Sequence, residues 1–529
     1  MILIAIWSTW LRYVTSVLEI WLTIYWVNLV NSGYLWIPAF LVESKLDMSI
    51  SQGGADLKKY LSEIMAEVRL PRRDFRLLEA DVREGVKYLM YNTSLTLEEA
   101  FERIGYDIFG SFYMPPDHSE WYPLDSAAKV YPLSMTTARM SMYRISANMD
   151  REVVPELLQL ALHAVIKRFP TFATILKRGI FWHYLDARRK RFVIEKEEKI
   201  PCSPIKLDTI RDQVFRLVYF KNRISLEVIH CVSDGYGGMA LLKTLLAEYM
   251  RMLGVPDLCK EGILDINESP DPEELIDAFP MVDRAEEMTA YGSGRAIQIR
   301  GKRAIVQPAQ IIHFHIPSAE LMQTAKSLGG SVTCYLLSAM FLAAKAAGKK
   351  RSGVFRIQVP VNMRQYYSIK TLRNFSMYAT ISIPYDEVVT MEELIPMVDW
   401  QLKAKITKRP LDGMVANTLG LVCNPLLRRA PLFLKGFLIS QITNNITRKS
   451  FTAVLSNLGN DSGSFGSFVK SFEAIPGPCN SNQVGCGIMS YNDTAIFSIT
   501  KPTHDHSFEA ALYKILTSSG LTVTVSGNY

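Results

Sequence analysis

The clearest pattern of hydrophobic and polar positions lies just before the middle of the chain. Two runs of β-branched and aromatic residues, VFRLVYF (214–220) and ISLEVIH (224–230), are separated by the polar segment Lys221-Asn222-Arg223. This arrangement predicts a β-hairpin. Because side chains alternate between the faces of a strand, four residues of the second run share one face: Ile224, Leu226, Val228 and His230. The histidine is therefore predicted to point inward.

The residues that follow the hairpin break the strand pattern. Asp234 is followed by Gly235, Gly237 and Gly238. Glycine permits positive φ and a close approach of neighbouring backbone, so we expect a forced turn here. Apolar residues in helical phase follow and predict a helix: Leu241, Leu242, Leu245, Leu246 and Tyr249.

Strands and helices alternate over the rest of the chain from about residue 121. Pro155 opens an amphipathic helix that ends at Phe169-Pro170. Residues 260–300 lack a clean period and are predicted to be a crossover. Further strands are predicted at 311–316 and 354–361, near Val454 and as a pair near the C-terminus, and further helices after Ser318, at 333–347 and at 391–407. This layout predicts two similar halves of an α/β (α+β) fold.

The N-terminal part differs from the rest of the sequence. Residues 55–110 have a helical period, with a capping-type Thr96-Leu-Glu-Glu segment. Residues 20–42 carry no charge and are long enough to cross a bilayer, although Asn28 and Pro38 interrupt the run. Three interpretations stay open: a membrane-associated leader, a poorly formed span, or sequence upstream of a true start at Met48 or Met65.

Composition narrows the class of protein. The 529 residues are 48% hydrophobic and carry a net charge of +7, so a folded enzyme-sized body is feasible and nucleic acid is not implied. An anionic lipid or a phosphate-bearing ligand is compatible with this charge. The seven cysteines have no ligand spacing for a metal and indicate reduced thiols in a cytosolic protein. His313 and His315 share a strand face, but no third ligand is apparent, so no metal site is predicted.

His230 is the candidate for chemistry. One interpretation is a core histidine whose ring is satisfied by a backbone carbonyl. The other is a general base, because an imidazole titrates near neutral pH. Asp234 cannot share the strand face once the chain turns at Gly235, so we expect it to hold the structure together and not to orient the ring directly. Cys231 points to the opposite face of the strand, which argues against a Cys–His pair.

The segment His230-Cys-Val-Ser-Asp234-Gly235 resembles the HxxxDG motif of the CoA-dependent acyltransferase superfamily. Three segments, WYPLDSAAKVYPLSM (121–135), RFPTFATILKRGIFWHYL (168–185) and KNRISLEVIHCVSDG (221–235), are similar in order and spacing to bacterial proteins of the alcohol acetyltransferase group. QVPVNMR (358–364), Asn374-Phe375 and VLSNLG (454–459) resemble motifs of the second half of that superfamily. The resemblance covers about residue 120 to the C-terminus.

The resemblance implies two chloramphenicol-acetyltransferase-like lobes with a tunnel between them, at 120–300 and 301–529, after a hydrophobic leader (1–47) and a helical extension (48–119). It implies acyl-CoA as co-substrate, a small-molecule alcohol as acceptor and no tightly bound cofactor. His230 would be the general base, in a catalytic motif with Asp234 and Gly235, and Arg364 would pair with Asp234. Further residues are implied at the reacting carbonyl or in the tunnel: Ser456, Asn457 and Asn374.

The sequence departs from some branches of the superfamily. Ile229 stands where condensation domains and wax ester synthases have a second histidine, which favours transfer from acyl-CoA to an alcohol. A clear DFGWG segment is missing, which argues against a plant-type enzyme. Three alternatives stay open: an amide-forming relative, an acyltransferase that takes its donor from an acyl carrier protein, and a non-catalytic scaffold. The expected location is cytoplasmic, with membrane association through the N-terminal segment left open.

Overall fold

The computed structural model divides the chain into the compact units Met1–Glu63 and Ile64–Tyr529, and the fold below is that of the second unit. The structure describes residues 72–105, 121–135, 140–187, 191–205, 213–256, 260–283, 294–299, 301–302, 310–348, 352–442, 450–461, 463–477 and 484–527. The predictions for the N-terminal leader, including the apolar run 20–42, lie outside the described residues.

The described residues form a mixed α/β structure. The strands are β1 (Trp121–Pro123), β2 (Met142–Met149), β3 (Thr174–Arg178), β4 (His183–Ala187), β5 (Ile194–Lys196), β6 (Phe215–Phe220), β7 (Arg223–Ile229), β8 (Gln310–Pro317), β9 (Val354–Asn362), β10 (Ser376–Pro384), β11 (Ala453–Asp461), β12 (Val469–Pro476), β13 (Val484–Tyr491), β14 (Thr494–Lys501) and β15 (Thr524–Gly527). The helices are α1 (Arg72–Thr93), α2 (Leu97–Ile104), α3 (Tyr131–Ser134), α4 (Pro155–Ile166), α5 (Gly235–Met252), α6 (Ser318–Ser327), α7 (Val332–Ala347), α8 (Met391–Lys405), α9 (Lys408–Cys423), α10 (Pro425–Arg429), α11 (Leu432–Ile442) and α12 (Ser507–Ser518).

Two large sheets organise the molecule. One has seven strands in the order β10-β9-β11-β13-β14-β8-β15, and the other has five in the order β12-β2-β7-β6-β5. A small third sheet has the order β1-β4-β3. Strand β12 comes late in the chain but pairs with β2, and it also packs against β13 and β14. The two large sheets are therefore joined by a strand that crosses from the second half of the chain to the first.

The predicted hairpin is confirmed. Strands β6 and β7 pair antiparallel, with Phe215 opposite Val228, and Lys221 takes a positive φ of 50° in the tight turn. Ile224, Leu226 and Val228 are buried as predicted, but Ser225, Glu227 and Ile229 on the other face are buried as well, so β7 has no exposed face. The strand ends at Ile229, one residue before the predicted end.

The N-terminal helices and the second-half elements also agree with the sequence pattern where they are described. The segment at Thr96 forms a capping box with Glu99 at the start of α2, and α1 packs against α4. The strand predicted near Val454 is β11, and the helix predicted at 391–407 is α8. Helices α9, α10 and α11 were not predicted, and neither was the sheet formed by β1, β4 and β3.

A large apolar core lies between the seven-stranded sheet and the helices α6, α7, α8 and α12. Phe314 of β8, Phe355 of β9, Phe341 of α7 and Leu512 of α12 belong to it and are at most 2% exposed. Among the described residues no single helix is long and apolar enough to cross a membrane. The neighbours α6 and α7 meet the length and composition criteria only as a pair bent by 80°.

One face of the five-stranded sheet carries a buried network of charges. Glu227 of β7 accepts hydrogen bonds from Arg144 Nη1 (3.2 Å) and Arg216 Nε (2.9 Å) on the neighbouring strands. The backbone N–H of Cys202 also donates to Glu227 (2.7 Å). Arg144 and Glu227 are 1% and 2% exposed. A buried charge is tolerated only when it is paired, so this carboxylate holds three segments of the N-terminal half together.

We expect Glu227→Ala to lower the free energy of unfolding by about 3–5 kcal/mol, because the change leaves the Arg216 guanidinium without its buried counter-ion and Arg144 with Glu197 as its remaining carboxylate partner. Chemical denaturation measures this. The control is Lys403→Ala, which removes an ion pair with Asp399 from a lysine whose side chain is 77% exposed, and which should change stability by less than about 1 kcal/mol. Equal stabilities of the two variants would contradict a structural role for Glu227.

Candidate active site

His230 is held by its backbone immediately after β7. Its N–H donates to the carbonyl oxygen of Ser141 (2.8 Å), and its carbonyl oxygen accepts from Asn374 Nδ2 (2.8 Å). The first bond extends the pairing of β7 with β2, and the second reaches into the C-terminal half of the chain. The histidine is therefore fixed at the place where the two halves meet.

Two tyrosine rings bracket the imidazole. The ring of Tyr131, from α3, stacks on it with a centroid distance of 5.3 Å and an interplanar angle of 26°. The ring of Tyr143, from β2, lies at 4.8 Å and 54°. Nδ1 of His230 has no hydrogen-bond partner among the described residues. This environment is aromatic and poor in hydrogen bonds on that side of the ring.

Burial lowers the pKa of His230 below its usual 6.5, while the Asp234 carboxylate and the Asn374 side chain act in the opposite direction. Desolvation disfavours the charged imidazolium, and it is the largest of these effects. The imidazole is consequently neutral at neutral pH, which is the form that accepts a proton.

Asp234 points away from the ring and is fully engaged. Its Oδ2 accepts from Arg364 Nη1 (2.9 Å) and from the backbone N–H of Phe375 (2.8 Å). Its Oδ1 accepts from the N–H of Gly237 (3.4 Å), and so caps the N-terminus of α5. The Tyr143 hydroxyl donates to the Asp234 carbonyl oxygen (2.6 Å). The carboxylate therefore ties the segment after β7 to the connection between β9 and β10.

Arg364 is bound on several sides. Nε donates to the carbonyl oxygen of Thr371 (2.8 Å), and Nη2 donates to that of Arg373 (2.5 Å). The guanidinium also lies over the Tyr236 ring, 4.4 Å from its centroid. A further hydrogen bond runs from Nη1 to Asn362 Oδ1 (3.0 Å). Three oxygen atoms therefore accept from the guanidinium besides that of Asp234. It is only 7% exposed, so this arginine is part of the framework and not a surface charge.

The glycines after Asp234 are required because neighbouring residues pack closely against their Cα atoms, and not because the backbone takes unusual φ angles. None of Gly235, Gly237 and Gly238 has a positive φ, so the expected forced turn is instead the first turn of α5. A Cβ at Gly237 would overlap the Leu372 carbonyl oxygen, and one at Gly238 would overlap the Tyr143 ring. A Cβ at Gly235 would lie 3.0 Å from Leu458 Cδ2. The helix start is therefore packed tightly against both halves of the molecule.

A cavity of about 390 Å³ lies between the two large sheets and reaches His230. Ligand sites commonly have volumes of this order. Its walls come from both halves of the chain, and six of the residues singled out from the sequence line it: His230, Asp234, Gly235, Arg364, Ser456 and Asn457. Asn374 is 2% exposed and does not line the cavity. It contacts the site through the backbone of His230.

Ser456 and Asn457 differ in how they are engaged. Asn457 Nδ2 donates to the Thr333 hydroxyl (3.0 Å), and its Oδ1 accepts from the N–H of Gly459 (2.8 Å). Ser456 is half-buried in the cavity wall, and its hydroxyl makes no hydrogen bond within the part of the chain that the structure describes. The Ser456 hydroxyl is consequently available to a ligand, whereas the Asn457 amide is already hydrogen-bonded to residues at and near the end of β11.

Sequence reasoning missed three residues around the histidine. Tyr131 and Tyr143 flank the ring, and Asp125 accepts from Asn374 Nδ2 (3.0 Å). Burial raises the pKa of Asp125 to about 6, although Arg373 and Asn374 oppose this effect. Tyr131 and Asp125 lie in the segment 121–135 that carries the resemblance, which was the one available signal. Tyr143 could have been found only from the pairing of β2 with β7.

Other candidate groups are placed away from the cavity. His313 Nδ1 lies 2.9 Å from the Ser498 hydroxyl, and His315 Nε2 lies 2.8 Å from the Ser526 hydroxyl. Burial raises the pKa of the Cys231 thiol well above its usual value. Within the described ranges, no group of three or more histidine, cysteine, aspartate or glutamate side chains is arranged to hold a metal ion.

Comparison by sequence finds no protein-family model and no curated protein that matches this chain. Comparison of structures finds the epimerization domain from the third module of tyrocidine synthetase B, with a TM-score of 0.51 and 11% identity over 75% of this chain and 95% of that one. The first condensation domain of the calcium-dependent antibiotic synthetase has a TM-score of 0.51 and 13% identity over 76% and 96%.

A further similar structure is that of TRI101 from Fusarium sporotrichioides in complex with coenzyme A and T-2. Its TM-score is 0.50 at 14% identity, over 77% of this chain and 100% of that one. At such low identities the likeness concerns the fold alone. The predicted fold class is confirmed: this chain has the two-lobe fold of these epimerization and condensation domains and of TRI101.

Proposed function

We propose that this protein is an acyltransferase that moves an acyl group from a CoA thioester to a small-molecule alcohol, with His230 as the general base. One observation carries the proposal: the imidazole borders a cavity between the two sheets, and burial keeps it neutral. The fold shared with a structure that contains coenzyme A supports a CoA thioester as donor.

The proposed reaction is a direct transfer. The alcohol hydroxyl gives its proton to His230 while its oxygen attacks the thioester carbonyl. The tetrahedral intermediate then expels the CoA thiolate, which takes the proton back from the imidazolium. A positioned base contributes roughly 10²- to 10⁴-fold to such a step. No covalent enzyme intermediate is needed, because acceptor and donor meet in the same cavity.

We assign the base to Nε2 of His230. Nδ1 and the Asn374 Oδ1 atom are both buried and lack hydrogen-bond partners among the described residues, and the Asn374 side chain raises the pKa of the ring. We infer that the Asn374 amide oxygen faces Nδ1 and favours the tautomer with its proton there, which leaves Nε2 as the acceptor. Asn374 and, behind it, Asp125 are then positioning residues.

We expect His230→Ala to lower the rate of acyl-CoA-dependent thiol release by at least about 10²-fold, because the reaction loses its base. The assay uses a panel of acyl-CoAs, alcohols, amines and an acylated carrier protein. The matched control is His504→Ala, which changes an exposed histidine and should leave the rate unchanged. Undiminished turnover by folded His230→Ala would refute the proposed base and favour a non-catalytic scaffold.

The pH dependence tests the role of Asp234. The wild-type rate should fall as the pH drops through the lowered pKa of His230, since only the neutral ring accepts a proton. Asp234 raises this pKa, so Asp234→Asn should move the acid limb of the kcat profile to lower pH as well as lower kcat. The control is Asp271→Asn, which removes an ion pair with Lys370, a lysine whose side chain is 70% exposed, and which should leave the profile in place. If Asp234→Asn lowers kcat but leaves the acid limb at the same pH, the role of Asp234 is purely structural.

We further propose that the Ser456 hydroxyl stabilises the oxyanion of the tetrahedral intermediate. Ser456→Ala should then lower kcat by about 10²- to 10³-fold with little change in KM, because the hydrogen bond is strongest in the transition state. Ser456→Thr keeps the hydroxyl and should retain much of the activity. A change in KM alone would assign Ser456 to substrate binding instead.

A further inference from the structure

Large apolar side chains are exposed together where the hairpin β3–β4 meets the helices α10 and α11. The group, here named the apolar patch, comprises Ile180, Phe181, Leu426, Phe433 and Phe437. Leu426 and Phe433 are 84% and 80% exposed, and Ile180 is 77% exposed. Single exposed apolar residues are ordinary, but a contiguous set marks an interaction surface.

Contacts between the hairpin β3–β4 and helix α11 make the apolar patch continuous. The N–H of Leu432 donates to the Ile180 carbonyl oxygen (2.9 Å), and Lys435 Nζ donates to that of Phe181 (2.7 Å). The same ammonium lies 3.7 Å from the centroid of a Trp182 ring. The hairpin tip is therefore fixed to the N-terminal part of α11. Phe433 and Phe437, four residues apart, lie on one exposed face of that helix.

The exposed charges of α10 and of the end of β3 are basic, and Asp186 of β4 is paired with Lys177. Arg428 and Arg429 are exposed at the end of α10, and Arg178 is exposed at the end of β3. From residue 413 to residue 442 the sequence contains no aspartate or glutamate. Exposed aromatic and aliphatic side chains beside basic residues are typical of surfaces that lie at a lipid–water interface.

The position of α11 relates this surface to the cavity. Helix α11 packs against α3, and α3 carries Tyr131, whose ring stacks on His230. This link to catalysis rests on the proposed function, whereas the features of the surface itself do not depend on it.

We propose that the apolar patch docks the protein onto an anionic lipid surface. The phenylalanine side chains of α11 enter the boundary of the acyl chains, and Arg428 and Arg429 contact the anionic headgroups. Two other occupants fit the charges less well. The uncharged run 20–42 of this chain has one acidic residue at each flank, Glu19 and Glu43, and offers no counter-charge along its length. A second copy in a two-fold arrangement would bring arginines against arginines.

The test places a probe in the apolar patch of the full-length protein. Cys259, Cys423 and Cys479 are changed to serine, and the other cysteines are left because they are buried. An environment-sensitive fluorophore is attached to Phe433→Cys, or to Trp400→Cys as the matched control at a 69% exposed position on α8. Vesicles of phosphatidylcholine are compared with vesicles that also contain phosphatidylglycerol.

We expect the emission of the probe at 433 to shift to the blue with anionic vesicles, and much less with phosphatidylcholine alone, while the probe at 400 is unaffected. Arg428→Glu together with Arg429→Glu should weaken the affinity read by the probe at 433 by at least about tenfold, because basic residues near an anionic surface add to binding. These results would support the proposal.

Two results would overturn it. The first is an unchanged probe at 433 while the protein sediments with the vesicles, which would mean that another part of the chain binds lipid. The second is a probe that is already shielded without vesicles, which would mean that a second copy or the chain itself covers the apolar patch; sedimentation equilibrium tells these apart. Neither measurement needs a substrate, so failure here is distinct from failure of the proposed acyl transfer.

Discussion

The buried pair of Asp234 and Arg364 is the interaction on which the site depends. It joins residues 130 positions apart in the sequence, one beside the candidate base and the other in the turn after β9. The same carboxylate accepts from the Phe375 N–H and caps α5. Truncating one member of such a buried pair leaves an uncompensated charge, which costs several kcal/mol. Both halves of the molecule are therefore locked at the point where the cavity forms.

The electrostatics of the site follow from this ion pair between Asp234 and Arg364. A free carboxylate beside His230 would strongly favour imidazolium, but Arg364 neutralises Asp234 at 2.9 Å. Burial between the Tyr131 and Tyr143 rings then decides the balance, and the ring stays neutral. The charged face of the five-stranded sheet uses the same physical rule at Glu227, where each buried charge has its partner. The framework and the site are thus stabilised by charge pairing, while the His230 imidazole stays uncharged.

Local patterns were predicted well where they reflect local physics. The hairpin β6–β7, the inward direction of His230, the capping box at Thr96 and helix α8 follow from side-chain alternation, helix capping and apolar period. Helices α10 and α11 were missed because their apolar residues are largely exposed and give no pattern that faces the core. Helix α9 was missed although Leu411, Met414 and Val415 are buried at helical spacing. The glycines after Asp234 were expected to permit positive φ and close approach; the structure shows the close approach, to Leu372 and Tyr143, and no positive φ.

By itself the sequence determined the β6–β7 hairpin and many of the other elements, since period and propensity act over a few residues. Tertiary structure decided what surrounds the imidazole: two tyrosines, the Asn374 amide that holds its carbonyl, and a cavity walled by strands from both halves. It also decided that Ser456 lines this cavity with a hydroxyl that makes no hydrogen bond to the described residues, while the Asn457 amide donates to Thr333. Such contacts depend on how segments that are distant in the sequence pack together. The spacing of residues along the chain does not show which remote side chains will lie next to one another.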